Sequence, residues 1–397
     1  MDKTHLSAWT TREGELIMTS FHSSKPLTFG IEMELQIIKQ ADGLLSPSCQ
    51  GLMASLPDRS RQLFMPEATR STIEFVSTVH TDVDEMLNEA MEHVSVLKQR
   101  ALDMQLNLRG GGNHAMHFWM DRIVSETERG ALLQRKYGFL PKRFSTYGLH
   151  VHVGMPGANE AIKVGNVLQK LTPIFIALAA ASPFHQGMET GFSASRPLES
   201  LVYPFSDPMP MFKDWDDLLS KTADIYQTGL ASSLKDLYWD VRPKPEYGTI
   251  EVRSLDMPLK IEKAVALAVF VRRCAALALN DVLQTPEITL FNLDQCNRFL
   301  ACRDGIAAEL INPFTRQMTC MKSWFLSVLD VIRTAGLPGR ESIYLDWLEQ
   351  EVLEQDQAQW MRQLWQETGC DGQKNLHNYC LQISDVLLER SPALTSV

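Results

Sequence analysis

The chain has 397 residues, 45% hydrophobic and 22% charged, which is enough apolar material for one large domain or two with a sizeable core. Its net charge of −10 and the lack of any Lys/Arg cluster interleaved with aromatics speak against a nucleic-acid partner. The seven cysteines are odd in number, scattered and without a C-x-x-C pair, so they read as reduced thiols of a cytoplasmic protein rather than a disulfide or zinc framework.

Residues 1–24 are polar and have no apolar h-region, so they read as a loosely ordered extension rather than a signal peptide, ahead of a single domain over 25–397. The run Phe29–Ile37 predicts a strand. Alternate residues of a strand share a face, so Phe29, Ile31, Met33, Leu35 and Ile37 point one way and Glu32 and Glu34 the other. Thr72–Val76 repeats the scheme with Glu74 opposite Ile73 and Phe75. From Thr81 to Met104 the apolar spacing changes to helix, started by Thr81 or Asp82, and a strand Leu106–Arg109 leads into the loop Gly110–His114. Leu149–Val153 aligns His150 and His152 opposite three aliphatics, and residues 158–181 predict a second helix ended by Ser182-Pro183. Its apolar run Ile174–Ala181 is too short to span a bilayer, and no membrane role is expected. Phe184–Pro210 reads as a long loop, and Thr249–Arg253 as a strand with Glu251 beside Arg253. Helix follows over Glu262–Leu283, and residues from Asp294 onward are mostly helical, with breaks at Asn312-Pro313 and Gly336–Gly339. Strands separated by long helical insertions, with polar faces that converge, predict an α+β fold on an antiparallel or mixed sheet.

An isolated E-x-E is usually a solvated edge strand. The apolar run around Glu32 and Glu34 argues instead for a central strand and a cleft-lining pair, whose repulsion a hard divalent cation, Mg²⁺ or Mn²⁺, resolves. His150 and His152 read either as a metal half-site or as hydrogen-bonded core histidines, and three neighbouring carboxylate strands favour contacts to metal and substrate. Glu67, seven residues before Glu74, reads alone as a surface loop residue. In Asp240–Arg253, Arg242, Lys244 and Arg253 surround a carboxylate, an arrangement that suits phosphate oxygens; a surface salt bridge competes for Lys244 and Glu246. Gly110–His114 lacks the G-x-x-x-x-G-K-[ST] pattern, and neither G-x-G-x-x-G nor G-x-S-x-G occurs, so P-loop, Rossmann and hydrolase-elbow chemistry have no support.

Gly30–Leu35, Gly148–Gly154, Leu237–Pro243 and Thr249–Arg253, in this order, resemble the type 2 glutamate–cysteine ligase family, in its YbdK-type carboxylate–amine ligase branch of the glutamine synthetase-like superfamily. The resemblance runs from about Leu27 to beyond Asn312. It implies an ATP-dependent ligase on an antiparallel sheet, joining a carboxylate, glutamate's γ-carboxylate foremost, to an amine, and often dimeric. By similarity, Glu34, Glu67 and Glu74 hold one metal; Glu32, His150 and Glu251 hold a second at the ATP phosphates. Arg242 and Arg253 line the phosphoryl-transfer path, Lys244 contacts the nucleotide, and Arg196 faces the substrate carboxylate. His152 and His114 are assigned to substrate, although many relatives carry Gly-Thr-His-Pro where this chain has Gly112-Asn113-His114-Ala115. Two other classes stand beside this one: a cupin-like oxygenase or hydrolase on His150 and His152, and a binding protein without catalysis.

Overall fold

The computed structural model describes residues 20–143, 146–286, 292–336, 339–354, 356–368 and 373–395. Seven strands build its main sheet: β1 (Phe29–Lys39), β2 (Phe64–Pro66), β3 (Thr72–Val76), β4 (Leu106–Arg109), β5 (Gly148–Gly154), β6 (Val241–Lys244) and β7 (Thr249–Asp256). The order across the sheet is β2-β3-β1-β5-β7-β6, and β4 pairs with the far end of β1. Every pairing is antiparallel. The sheet is open rather than closed into a barrel, which removes the cupin reading.

One face of this sheet is the core. Phe29, Ile31, Met33, Leu35 and Ile37 of β1 are all essentially inaccessible, each worth roughly 2 kcal/mol on burial. Three long helices cover them: α1 (Val83–Asp103), α3 (Ala158–Ala179) and α4 (Ile261–Leu279). Asp82 caps α1 by accepting from the amides of Asp84 and Glu85, satisfying donors that the first turn leaves free. Helix α3 has the length and apolarity of a membrane span, but 94% of its most apolar window is buried inside the protein. It packs closely on the strands: a Cβ on Gly165 would meet Ile250 Cδ1 at 3.0 Å.

A shorter helix, α2 (Glu128–Tyr137), lies on the polar side. The C-terminal region adds α5 (Leu293–Asp304), α6 (Met321–Thr334), α7 (Glu341–Glu354), α8 (Gln357–Glu367) and α9 (Gln373–Val386). The break at Asn312-Pro313 is the turn of a small hairpin, Glu309–Ile311 with Met318–Cys320. Arg272 and Arg273 of α4 both grip Glu341, which ties α7 to the core. Arg298 of α5 pairs with buried Asp240 at 2.8 Å, just before β6. Residues 1–19 of the expected extension lie outside the described residues, whereas the end of that segment is anchored: His22 N donates to Pro245 O and Ser24 N to Met155 O, each at 2.9 Å.

The Gly110–Gly112 loop is a packing device. A Cβ on Gly110 would lie 2.1 Å from Pro258 O, and one on Gly112 would lie 2.5 Å from the Asp256 carboxyl carbon. Gln36 Nε2 donates to Gly110 O and Gly111 O.

Candidate active site

Strand register brings the charged residues of the other face together. Glu34 on β1 stands opposite Glu74 on β3, and Glu32 opposite His150 on β5. His152 stands opposite Glu251 on β7, which stands opposite Arg242 on β6. Directly opposed side chains on one face approach to about 5 Å at Cβ, so five strands deliver their chemistry to a single row. This row floors a cleft of about 390 Å³.

Two regimes of charge divide the floor. At the β3 side, Glu34, Glu67 and Glu74 each offer an oxygen within 4.8 Å of the others. Burial, reinforced by the Glu67 charge, pushes Glu34 up to about 8. Burial and neighbouring carboxylates also raise Glu67 and hold Glu74 well above the usual range. Such carboxylates must stay protonated or share a cation. The all-oxygen set fits a hard divalent ion, Mg²⁺ or Mn²⁺. Glu67 reaches the cluster from the β2–β3 turn, where its own carboxylate accepts from Ala68 N at 3.0 Å.

Across β5 and β7 the charges are compensated. Glu32 Oε2 lies 2.8 Å from His150 Nδ1, and Glu32 Oε1 lies 3.1 Å from His152 Nε2. Burial opposes its ionisation, yet the two imidazoles hold Glu32 well below the usual carboxylate range. Burial and the Arg253 charge lower His150 to about 4, so its ring is neutral at pH 7. Glu251 is fully buried, yet Arg242 and Arg253 keep it ionised. Arg242 donates to one of its oxygens from Nε at 3.1 Å and Nη2 at 2.9 Å, and Arg253 Nη1 to the other.

Glu32, His150 and Glu251 therefore meet, with His150 Nδ1 3.8 Å from Glu251 Oε1. The groupings with all three ligand atoms within 4.8 Å of one another, however, combine Glu32 with His152 and Glu251, and Glu32 with Glu74 and His150. Glu74 belongs to two of the three groupings, Glu32/Glu74/His150 and Glu34/Glu67/Glu74, so these two candidate metal positions are adjacent.

Lys244 lines the cleft, 3.5 Å from Glu246 and over the Tyr247 ring at 5.3 Å. Arg196 lies beneath the Glu34 end, its guanidinium donating to Arg253 O at 3.3 and 3.4 Å. It fits there because residue 148 is glycine: a Cβ would sit 2.0 Å from Arg196 Nη2. His114 is a correction. It is fully buried away from the cleft, with Nε2 2.9 Å from Gly43 O and Nδ1 accepting from the amides of Met116 and His117. Both ring nitrogens are engaged by backbone, which leaves it no role toward substrate.

Arg129 on α2, Tyr203, Lys235 and Tyr238 also line the cleft, and no sequence pattern marks them as doing so. Tyr238 falls inside the Leu237–Pro243 motif; the others sit on segments whose pattern says nothing about what they overhang. A second cavity of about 350 Å³, mostly apolar and lined by Ile31, Val76, Val79 and Tyr247, adjoins the cleft at Glu32 and next to His152.

Relatives bearing the glutamate–cysteine ligase 2 name in Herminiimonas arsenicoxydans and Janthinobacterium sp. are 36% and 35% identical over 354 residues, which is 89% of this chain and 96% of each of theirs. The fold is similar to that of the glutamate–cysteine ligase of Francisella tularensis solved in complex with AMP, at TM-score 0.65 and 15% identity over 92% of this chain and 90% of that one. It is also similar to the bifunctional glutathione synthetase of Pasteurella multocida, at TM-score 0.66 and 13% identity over 90% of this chain and 52% of that one. The model for glutamate–cysteine ligase family 2 matches residues 28–377, and the chain belongs to that ligase family.

Proposed function

We propose that this protein is an ATP-dependent carboxylate–amine ligase that activates a carboxylate, glutamate's γ-carboxylate first among candidates, as an acyl phosphate. The observation that carries the reading is the single cleft in which an uncompensated carboxylate triad, Glu34, Glu67 and Glu74, adjoins the Glu32/His150 pair and two arginines held on Glu251. A carboxylate and an amine do not condense in water unless the leaving oxygen is first made a good leaving group. Transfer of the γ-phosphoryl group to the carboxylate oxygen releases ADP. The amine then attacks the carbonyl carbon, loses a proton and expels phosphate. Phosphoryl transfer asks mainly for positioning and charge neutralisation.

Divalent metal, when bound by the Glu34 triad and the Glu32/His150 group, supplies charge neutralisation at the phosphates. The chain's own groups do the rest. Glu251 orients the guanidinium of Arg253 and fixes that of Arg242, so both forks are set before charge moves between donor and acceptor oxygens. Lys244, held against Glu246 and the Tyr247 ring, adds a cation at the nucleotide end. Arg196, set beneath Glu34, supports a reading in which the acid substrate's second carboxylate settles at that end. The apolar cavity beside Glu32 has the character expected of a chamber for the nucleotide base. His152, at the junction, contacts whichever ligand spans the two. The reaction draws on cytoplasmic ATP and amino acids, and the proposed location is the cytoplasm.

The test is a crossed screen of acids against amines for ADP release with Mg²⁺ and after chelation. A pair that releases ADP and forms an amide only with metal supports the reading. Activity unchanged after exhaustive chelation, or ADP release without any amide in every pair, overturns it.

A further inference from the structure

A second cavity of about 400 Å³ lies at the back of the molecule, between the start of α4 and the helices α7 and α8. It shares no lining residue with the catalytic cleft. Lys263 lines it with only 2% of its surface exposed. Among the described residues its ammonium makes no hydrogen bond and no ion pair. Gln357, also buried, uses Oε1 to accept from Leu259 N at 2.8 Å and leaves Nε2 without a partner. A buried amide donor without an acceptor is costly in a finished fold, and the Lys263 ammonium has only the longer-range attraction of Glu351 and Asp356 to offset its burial.

The acceptors are on the walls. Glu351 makes no hydrogen bond or ion pair among the described residues, and Asp356 has one oxygen committed to capping α8 through Gln359 N. Lys260 is already matched by Glu389 at 3.3 Å. A simple anion would satisfy Lys263 and Gln357 but face Glu351, Glu354 and Asp356. A simple cation would suit those carboxylates and leave both donors unpaired. A molecule with a carboxylate and an ammonium one carbon apart satisfies both, and Leu259 and Trp360 offer an apolar resting place for its side chain.

We propose that this cavity binds a free α-amino acid with an apolar side chain, its carboxylate on Lys263 and Gln357 Nε2 and its ammonium toward Glu351 and Asp356. The site is separate from the ligase chemistry and does not depend on which acid and amine are joined. It is nevertheless close to it along the chain: β7, which carries Glu251 and Arg253, ends at Asp256, three residues before Leu259.

The experiment is a thermal-shift titration of the full chain with L-leucine, L-methionine and L-phenylalanine. Each is paired with its decarboxylated amine and its deaminated acid. At least one amino acid is expected to raise the melting temperature in a saturable way, and neither of its single-charge analogues to do so. The shift should persist in E34Q, whose change lies in the cleft, and vanish in K263M. Met replaces the buried ammonium by an apolar chain of similar length, and the melting curve of K263M without ligand shows that the fold is kept. E351Q, altering a half-buried group bonded to nothing, should weaken the same binding roughly tenfold or more, the scale of a hydrogen bond to a charged group. No shift from any of the three amino acids, a shift retained in K263M and E351Q, or one abolished by E34Q would overturn the assignment.

Discussion

Metal binding to this protein should expel protons, and the number can be worked from the Glu34 triad. With Glu34 pushed up to about 8, a carboxyl at pH 7 is about 0.9 protonated. Glu74, held well above the usual range, and Glu67, raised by burial, add to that count. The three share their protons as a set, so a divalent ion that requires all three ionised should release between about one and three protons. Glu32 and Glu251, already ionised, and His150, already neutral, contribute none. The assay is calorimetric titration of chelated protein with Mg²⁺ or Mn²⁺ in buffers of different ionisation enthalpy, where the dependence of observed heat on buffer gives the proton count directly. E34Q should lower that count by about one. Saturable binding with no proton release at pH 7, or an unchanged count in E34Q, would refute the electrostatic account of the cleft.

The same carboxyls set a pH dependence of stability. Their folded-state values lie above the ordinary 4.5, so between about 4.5 and 8 the native state holds more protons than the unfolded chain. The melting temperature of metal-free protein should therefore fall as pH rises through that window, and saturating Mg²⁺ should flatten the fall; a rise would contradict it. E34Q should weaken metal binding and collapse turnover while leaving metal-free protein equally or more stable at pH 8, checked by ADP production and melting on one preparation. R253K keeps the charge and loses the fork, so turnover should drop on the order of a hundredfold with a smaller change in nucleotide KM; a destabilised but fully active variant would mark Arg253 as a structural partner of Glu251. H114A should cost roughly 1–3 kcal/mol by leaving buried backbone groups unsatisfied and leave turnover per folded molecule unchanged, as urea melts with activity measurements will show.

Most of the floor of the cleft is legible in the sequence because a strand has a period of two. In β1, β3, β5 and β7 that period sorts each polar side chain from its apolar neighbours without knowledge of the partner strand. The period says nothing of register, so the opposition of Glu34 to Glu74, reached through the segment 40–71 that carries β2, appears only in three dimensions. Strand β2 has three residues, too few for any pattern, and β6 contains Pro243, which carries no amide to signal a ladder. Glu67 sits on a turn, where no face rule applies, and only resemblance pointed to it. The same absence of a rule misplaced His114: in the Gly110–His114 loop a histidine near the site in sequence is turned by three close-packed glycines into the core. Arg129 stayed hidden because helical periodicity fixes which side of α2 is buried and not what the other side overhangs.

Glu67 differs from its two companions in being sewn to the wall of the cleft. Ser125 Oγ donates to Glu67 O, Ser125 N to Ala68 O at 2.9 Å, and Arg70 N to Ile123 O at 2.9 Å. Two residues after Ser125, Thr127 caps α2, which carries Arg129 above the floor. An ion drawing Glu67 inward thus tugs the roof with it, and a ligand that settles the roof preloads the ion's third ligand. Linkage of this kind is reciprocal. Nucleotide and metal should consequently enter with synergy, each tightening the other by the same factor, and departure of either should loosen the grip on what remains.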